Sequence, residues 1–133
     1  MGNAYDRHRE ARVVRHWVAT ASAAASNSAA VATKTGASGQ IHVVTKVVAF
    51  YDGTVAAIKL LSVQDGSTVK ARLPVLSSVA LGDSGVHTHT GGADGDPIFK
   101  GTDNTTVSVS LAASATSPVL GYVTVYGYTI GKN

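Results

Sequence analysis

The side chains able to do chemistry gather in one stretch, Gly82 to Asp96, which reads GDSGVHTHTGGADGD. Asp83, Ser84, His87 and His89 are residue types of a hydrolytic triad. A triad, however, needs members that converge from separate elements on a pocket with an oxyanion site. Four residues within one short Gly-rich loop do not supply that, so no catalytic residue is assigned and the chain is read as a non-enzyme. His87-Thr88-His89 offers other chemistry. In an extended chain both imidazoles point to the same side. One pair gives too few ligands for a closed site. Three pairs gathered on a threefold axis would complete a nitrogen set suited to Zn, Fe, Cu or Ni. Two solvated loop histidines account for the same sequence, so His87 and His89 are metal ligands only where a trimer brings them together. Gly91-Gly92 is not followed by a GK[ST] motif, so no phosphate loop is present. No cofactor is implied.

Two other groups bear on binding. Tyr122, Tyr126 and Tyr128 share one face of an alternating C-terminal stretch. They could stack on a sugar or base, or form a core or subunit interface. The interface reading is preferred because the opposite face, with Val123 and Val125, is apolar too. At the other end, Arg7, Arg9, Arg12 and Arg15 stand close to Trp17. Arg and Trp are frequent anchors at protein interfaces, and Arg pairs bidentately with carboxylates. A solvated charged face would look the same.

The elements that position these residues follow from composition. The 133 residues suit one domain. Charged residues make up 14%, against about 25% in an average globular chain. Val, Ala, Thr and Ser dominate, and Glu10 is the one glutamate. Such a chain favours strands over helices. With no cysteine, disulfides, Cys-based metal sites and cysteine nucleophiles are excluded. From residue 40 onward six Lys/Arg face six Asp, so the net charge of +3 belongs to the N-terminal end. A neutral body does not carry the footprint of a nucleic-acid-binding domain. No stretch reaches the roughly 20 apolar residues of a membrane helix.

Residues 1–39 read as an N-terminal arm. Tyr5 to Val18 can form a short helix with Val13, Val14, Trp17 and Val18 as its apolar stripe. The small, polar run that follows has little to bury and would order only against a partner. Residues 40–133 read as a β-sandwich. Gln40 to Tyr51 is strongly β-prone, and Asp52-Gly53 is a hairpin signal leading to a return strand Thr54 to Leu61. Asp65-Gly66 marks a second turn before Ser67 to Val75, completing a meander. Gly82 to Asp96 reads as a loop, Pro97 to Lys100 as a short strand. Thr105 to Ala112 and Leu120 to Ile130 alternate as half-buried strands. About seven to eight strands separated by turn signals indicate an antiparallel sandwich.

HVVTKVVAFYDGTVAAIKLL resembles the opening of small β-sandwich proteins of tailed bacteriophages. Phe99-Lys100-Gly101, TTVSVSLAA, SATSPVL and GYVTVYGYTI resemble their ending, with Gly121, Val123, Val125, Gly127 and Tyr128 on a Gly-x-Val-x-Val-x-Gly-Tyr pattern. The resemblance covers residues 41–130. It implies an all-β, jelly-roll-like virion protein, most specifically a capsid decoration (cement) protein. It further implies a homo-trimer on the outer capsid surface, bound to the major capsid protein through its terminal arm. Arg7, Arg9, Arg12, Arg15 and Trp17 would be the arm contacts, and Tyr122, Tyr126 and Tyr128 the oligomer or partner interface. Neither nucleic acid nor membrane is expected as a partner. The alternative is a fibre or receptor-binding module for host glycans, using the loops or the tyrosine face.

Overall fold

The computed structural model of the chain describes residues 13–55, 58–75, 87–91 and 97–131. Nine strands run through them: β1 (Val13–Ser22), β2 (Ala30–Lys34), β3 (Gln40–Tyr51), β4 (Lys59–Asp65), β5 (Thr68–Val75), β6 (His87–Thr90), β7 (Phe99–Lys100), β8 (Val107–Leu111) and β9 (Gly121–Gly131). They form two sheets. Sheet A has the order β1-β9-β3-β6, with β7 also on β3, and sheet B the order β2-β8-β4-β5. All pairings are antiparallel. The chain crosses between sheets at nearly every connection and its last strand lies between the first and third. That is the interleaved order of a jelly roll, as expected.

Alternation decides which side chains face inward. Val123 and Val125 of β9, Val47, Ala49 and Tyr51 of β3, and Ala19 and Ala21 of β1 meet Leu61 and Val63 of β4 and Val107, Val109 and Leu111 of β8 in one core. Ala30 and Ala32 of β2 are buried in it as well. The motif glycines have a packing reason. A Cβ on Gly121 would lie 2.9 Å from Leu111 Cδ2, and one on Gly127 would lie 2.6 Å from Trp17 Cζ2. Both sit on inward positions whose space is taken, by the Leu111 and Tyr51 side chains at Gly121 and by the Val43 carbonyl and the Trp17 ring at Gly127.

Ring side chains connect the sheets. His42 is fully buried. The Thr35 carbonyl, 2.8 Å from Nε2, can only accept, which assigns the proton to Nε2 and leaves Nδ1 to accept from the Thr129 hydroxyl at 2.7 Å. Tyr51 donates its hydroxyl to the Ala112 carbonyl at 2.6 Å. Burial pushes the Tyr51 phenol up from 10.0 to about 12.

Four expectations are corrected. The division at residue 39 does not separate an arm from a sandwich. β1 pairs with β9 over ten positions and β2 pairs with β8 over five. Residues 13–18, expected in a helix, are strand, because Trp17, Ala19 and Ala21 find an apolar sheet to cover. The segment expected to pair with β3 after Asp52-Gly53 instead crosses to sheet B. Gly53 does not serve a positive φ there. A Cβ on it would meet Val119 Cγ2 at 2.8 Å, and the Asp52 carboxylate accepts from the Leu120 amide at 2.8 Å. Lastly, part of the expected loop is a strand, since His87–Thr90 pairs with β3. The Asp65-Gly66 turn does join a hairpin, β4 to β5, with Gly66 at φ 63°.

A chain beginning at residue 40 would lack an edge strand of each sheet. It should be unfolded, with no cooperative thermal transition by circular dichroism. A cooperative transition would contradict the place of β1 and β2 in the fold. The raised phenol gives a second expectation. A folded-state value above the unfolded one stabilises fully below pH 10, and that contribution is lost as pH rises towards about 12. Denaturant unfolding across that window should show stability falling with pH, and Tyr51→Phe should remove part of the slope.

Candidate binding face

The outward positions of sheet A gather the aromatic residues. On β9 these are Tyr122, Thr124, Tyr126, Tyr128 and Ile130, the positions between the buried ones. The β1 residues opposite them are Ser22, Thr20, Val18, His16 and Val14. On β3 they are Phe50, Val48 and Lys46. The register between β3 and β9 shifts at Thr45, whose hydroxyl donates to the Tyr126 carbonyl at 3.0 Å. This bulge lets Lys46 and Tyr126 share the outer face.

Local contacts hold the rings in place. Phe50 and Tyr122 stack with centroids 4.9 Å apart and planes 13° apart. Tyr128 meets the His16 ring edge-on at 6.0 Å. The Lys46 ammonium lies 5.1 Å from the Tyr126 ring centroid, a cation–π distance. Val14, Val18 and Tyr126 are 57%, 58% and 37% exposed. The face is thus apolar and aromatic, with hydroxyls along one side. Thr20, Ser22, Phe50, Tyr122 and Thr124 line a shallow groove in it. The outward face of sheet B is mixed and, among the described residues, carries no aromatic ring: Thr33, Ser62, Gln64, Ser108 and Ser110 alternate with exposed Val31, Leu60 and Val69.

The structure brings Tyr122, Tyr126 and Tyr128 together on one face, as their spacing predicts. Val14, Val18, Val48 and Phe50 join them; the sequence points to Val14 and Val18 only as part of a helical stripe, and to Val48 and Phe50 not at all as part of this face. The signal was the second apolar face of each strand. Arg7, Arg9 and Arg12 lie outside the described residues. Arg15 is exposed on β1, opposite Thr129. Trp17 is not a free contact of an arm. It is half-buried, packs against the core and meets the His42 ring edge-on at 6.2 Å. The Lys34 ammonium lies 5.9 Å from its ring. Its indole Nε1 is buried and has no partner among the described residues.

His87 and His89 take the register positions opposite Ala49 and Val47. His89 Nε2 donates to the Pro74 carbonyl of β5 at 2.8 Å, which turns its ring across the sandwich towards sheet B. Among the described residues no three His, Asp or Glu gather as a metal cluster.

No protein-family model matches the chain, and no curated protein sequence matches it. Solved structures with partial likeness include three. The CBM36-1 domain of a multidomain xylanase from the hindgut metagenome of Trinervitermes trinervoides is 9% identical, with 90% of this chain and 98% of that one covered and a TM-score of 0.43. The capsid asymmetric unit of cyanophage Pam1 is 18% identical, with 98% and 89% covered and a TM-score of 0.42. The virus-like particle of the extra small virus of the prawn Macrobrachium rosenbergii is 13% identical, with 87% and 79% covered and a TM-score of 0.31. At these scores none of the three assigns a function to this chain.

Trp17 and Tyr126 separate core from surface. Trp17→Ala should cost about 2 kcal/mol or more in denaturant unfolding, towards the range for core aromatics. Tyr126→Ser should change stability by less than about 0.5 kcal/mol.

Proposed function

We propose that the chain is a non-catalytic virion structural protein, a capsid decoration protein that binds the outer shell of a tailed bacteriophage. One observation carries the reading: the outer face of sheet A is a continuous aromatic and apolar surface without a partner among the described residues. Surfaces of this kind mark interaction sites. Its flatness suits a protein lattice better than a small molecule, because the rings stack on one another and on neighbouring strands. The phage-like pattern of residues 41–130 supplies the partner, the major capsid protein. Burying this face against coat subunits would add interface across their junctions and so resist internal pressure. Arg7, Arg9, Arg12 and Arg15 would add contacts to acidic coat surface.

A glycan-binding module is the second reading. It is favoured by the groove where Phe50 and Tyr122 adjoin the hydroxyls of Thr20, Ser22 and Thr124. There an aromatic floor with a polar rim could take a sugar.

The test is whether the protein copurifies with particles of a phage that encodes it, in a fixed ratio to the major coat protein. Decoration predicts stoichiometric presence, and loss of rebinding by a folded Tyr122→Ala/Tyr126→Ser double variant. Absence from particles, or reproducible sugar binding on a glycan array that Tyr122→Ala abolishes, would overturn it.

A further inference from the structure

Every open sheet exposes edge strands, and unpaired edges invite pairing unless they are short, charged, bulged or interrupted by proline. Three edges here are blunted. β5 carries Lys70, Arg72 and Pro74, with a register shift opposite it at Val63/Gln64. β2 has five residues and ends in Lys34. On the far side of sheet A, β6 and β7 have four and two residues. β1 is the exception. It runs ten residues in unbroken register with β9, and among the described residues no strand pairs with its other side. Arg15 is its one fully charged residue, and it has no proline.

The hydrogen-bond phase of this edge is fixed by one contact. The Ala23 amide donates to the Gly121 carbonyl at 2.9 Å, so Ala23 and Gly121 form a hydrogen-bonded pair. Antiparallel ladders alternate, so Arg15, Trp17, Ala19 and Ala21 direct their N–H and C=O groups to β9. Val14, His16, Val18, Thr20 and Ser22 direct theirs to the open side.

This set is symmetric about Val18. We propose that β1 is a self-pairing edge, on which a second copy of this chain adds its own β1 antiparallel, with the twofold axis at Val18. In that register Val18 faces Val18, His16 faces Thr20 and Val14 faces Ser22, and every outward N–H and C=O of the five residues finds a partner. On the inner side Arg15 faces Ala21, so no like charges are opposed. Shifting by one residue would invert the faces of the strand. Larger shifts leave backbone groups unpaired. The two outer faces of sheet A join into one surface, with Val18, exposed in the single chain, packed at the seam. A closed isologous contact of this kind gives a dimer. The trimer implied by the phage resemblance would instead need two different edges to meet. The contact uses the backbone edge rather than the tyrosine rings, so its test is separate from particle binding.

The full chain is measured by size-exclusion chromatography with light scattering, from low micromolar to submillimolar concentration. The expected mass rises from 13.5 kDa to twice that value. Val18→Pro removes an N–H that β9 does not use, a substitution edge strands tolerate. It should keep the strand signal in circular dichroism and remain monomeric. Val18→Lys, which places like charges on the axis, should do the same and decides the matter if the proline variant unfolds. Because the chain has no cysteine, Val18→Cys gives a specific probe. A hydrogen-bonded pair spaces its Cα atoms by about 5.5 Å, so a short bismaleimide that bridges two thiols should cross-link the dimer. A monomer at every concentration, a trimer, a dimer that folded Val18→Lys leaves intact, or a dimer that Val18→Cys fails to cross-link would overturn the proposal.

Discussion

The fold closes when the first strand meets the last. Until β1 lies against β9, the inward positions Val123, Val125 and Gly127 have nothing beside them on that flank. Once it does, Trp17 covers Gly127, and Ala19 and Ala21 complete the wall of the core. The same pairing carries the chain on to β2, which seals sheet B against β8. It also sets the outer face, since the valines of β1 extend the tyrosine surface of β9, and it determines which backbone groups of β1 face outward.

The sandwich interior is built from small side chains, and its polar groups are deliberately few. Val and Ala line most of it. In the interior His42 and Tyr51 each reach across from sheet A to a carbonyl of the opposite layer; His89 does the same at the exposed rim. Bonds of this kind fix how the sheets sit on each other, because a buried donor left unpaired is costly. The Trp17 indole is the exception, at the end of the core where Lys34 lies over the ring. The fold therefore draws its order from packing and a handful of directional bonds. No cluster of charged residues contributes among the described residues.

The alternating strands were legible because one face of each is apolar and the other polar. Val107, Val109 and Leu111 against Ser108 and Ser110 are the clearest case, and all three apolar residues are buried. β1 was not legible for the opposite reason. Val14 and Val18 on one face and Trp17 on the other leave no alternation, and their spacing imitates a helical stripe. β2 was hidden by its alanines. Ala30 and Ala32 bury little surface alone and become core only because Leu111 and Val109 lie opposite. Asp52-Gly53 carries the chemistry of a hairpin, but Val119 and the Leu120 amide engage those residues while the chain changes sheets. His87-Thr88-His89 alternates as a strand should, yet its glycine-rich surroundings favoured a loop. Of the candidate site, the tyrosines could be placed from spacing. Their neighbours on β1 and β3 could not, because register between distant strands is set by tertiary pairing.

Residues 13–22 are a sheet edge with one side committed and the other open, and residue-resolved hydrogen exchange reads both sides. Protection should alternate: amides of Arg15, Trp17, Ala19 and Ala21 protected at every protein concentration, those of His16, Val18, Thr20 and Ser22 exchanging fast in dilute solution and slowing on assembly. Uniformly fast exchange through this segment at all concentrations would contradict it, because that is the behaviour of a tether and not of a strand.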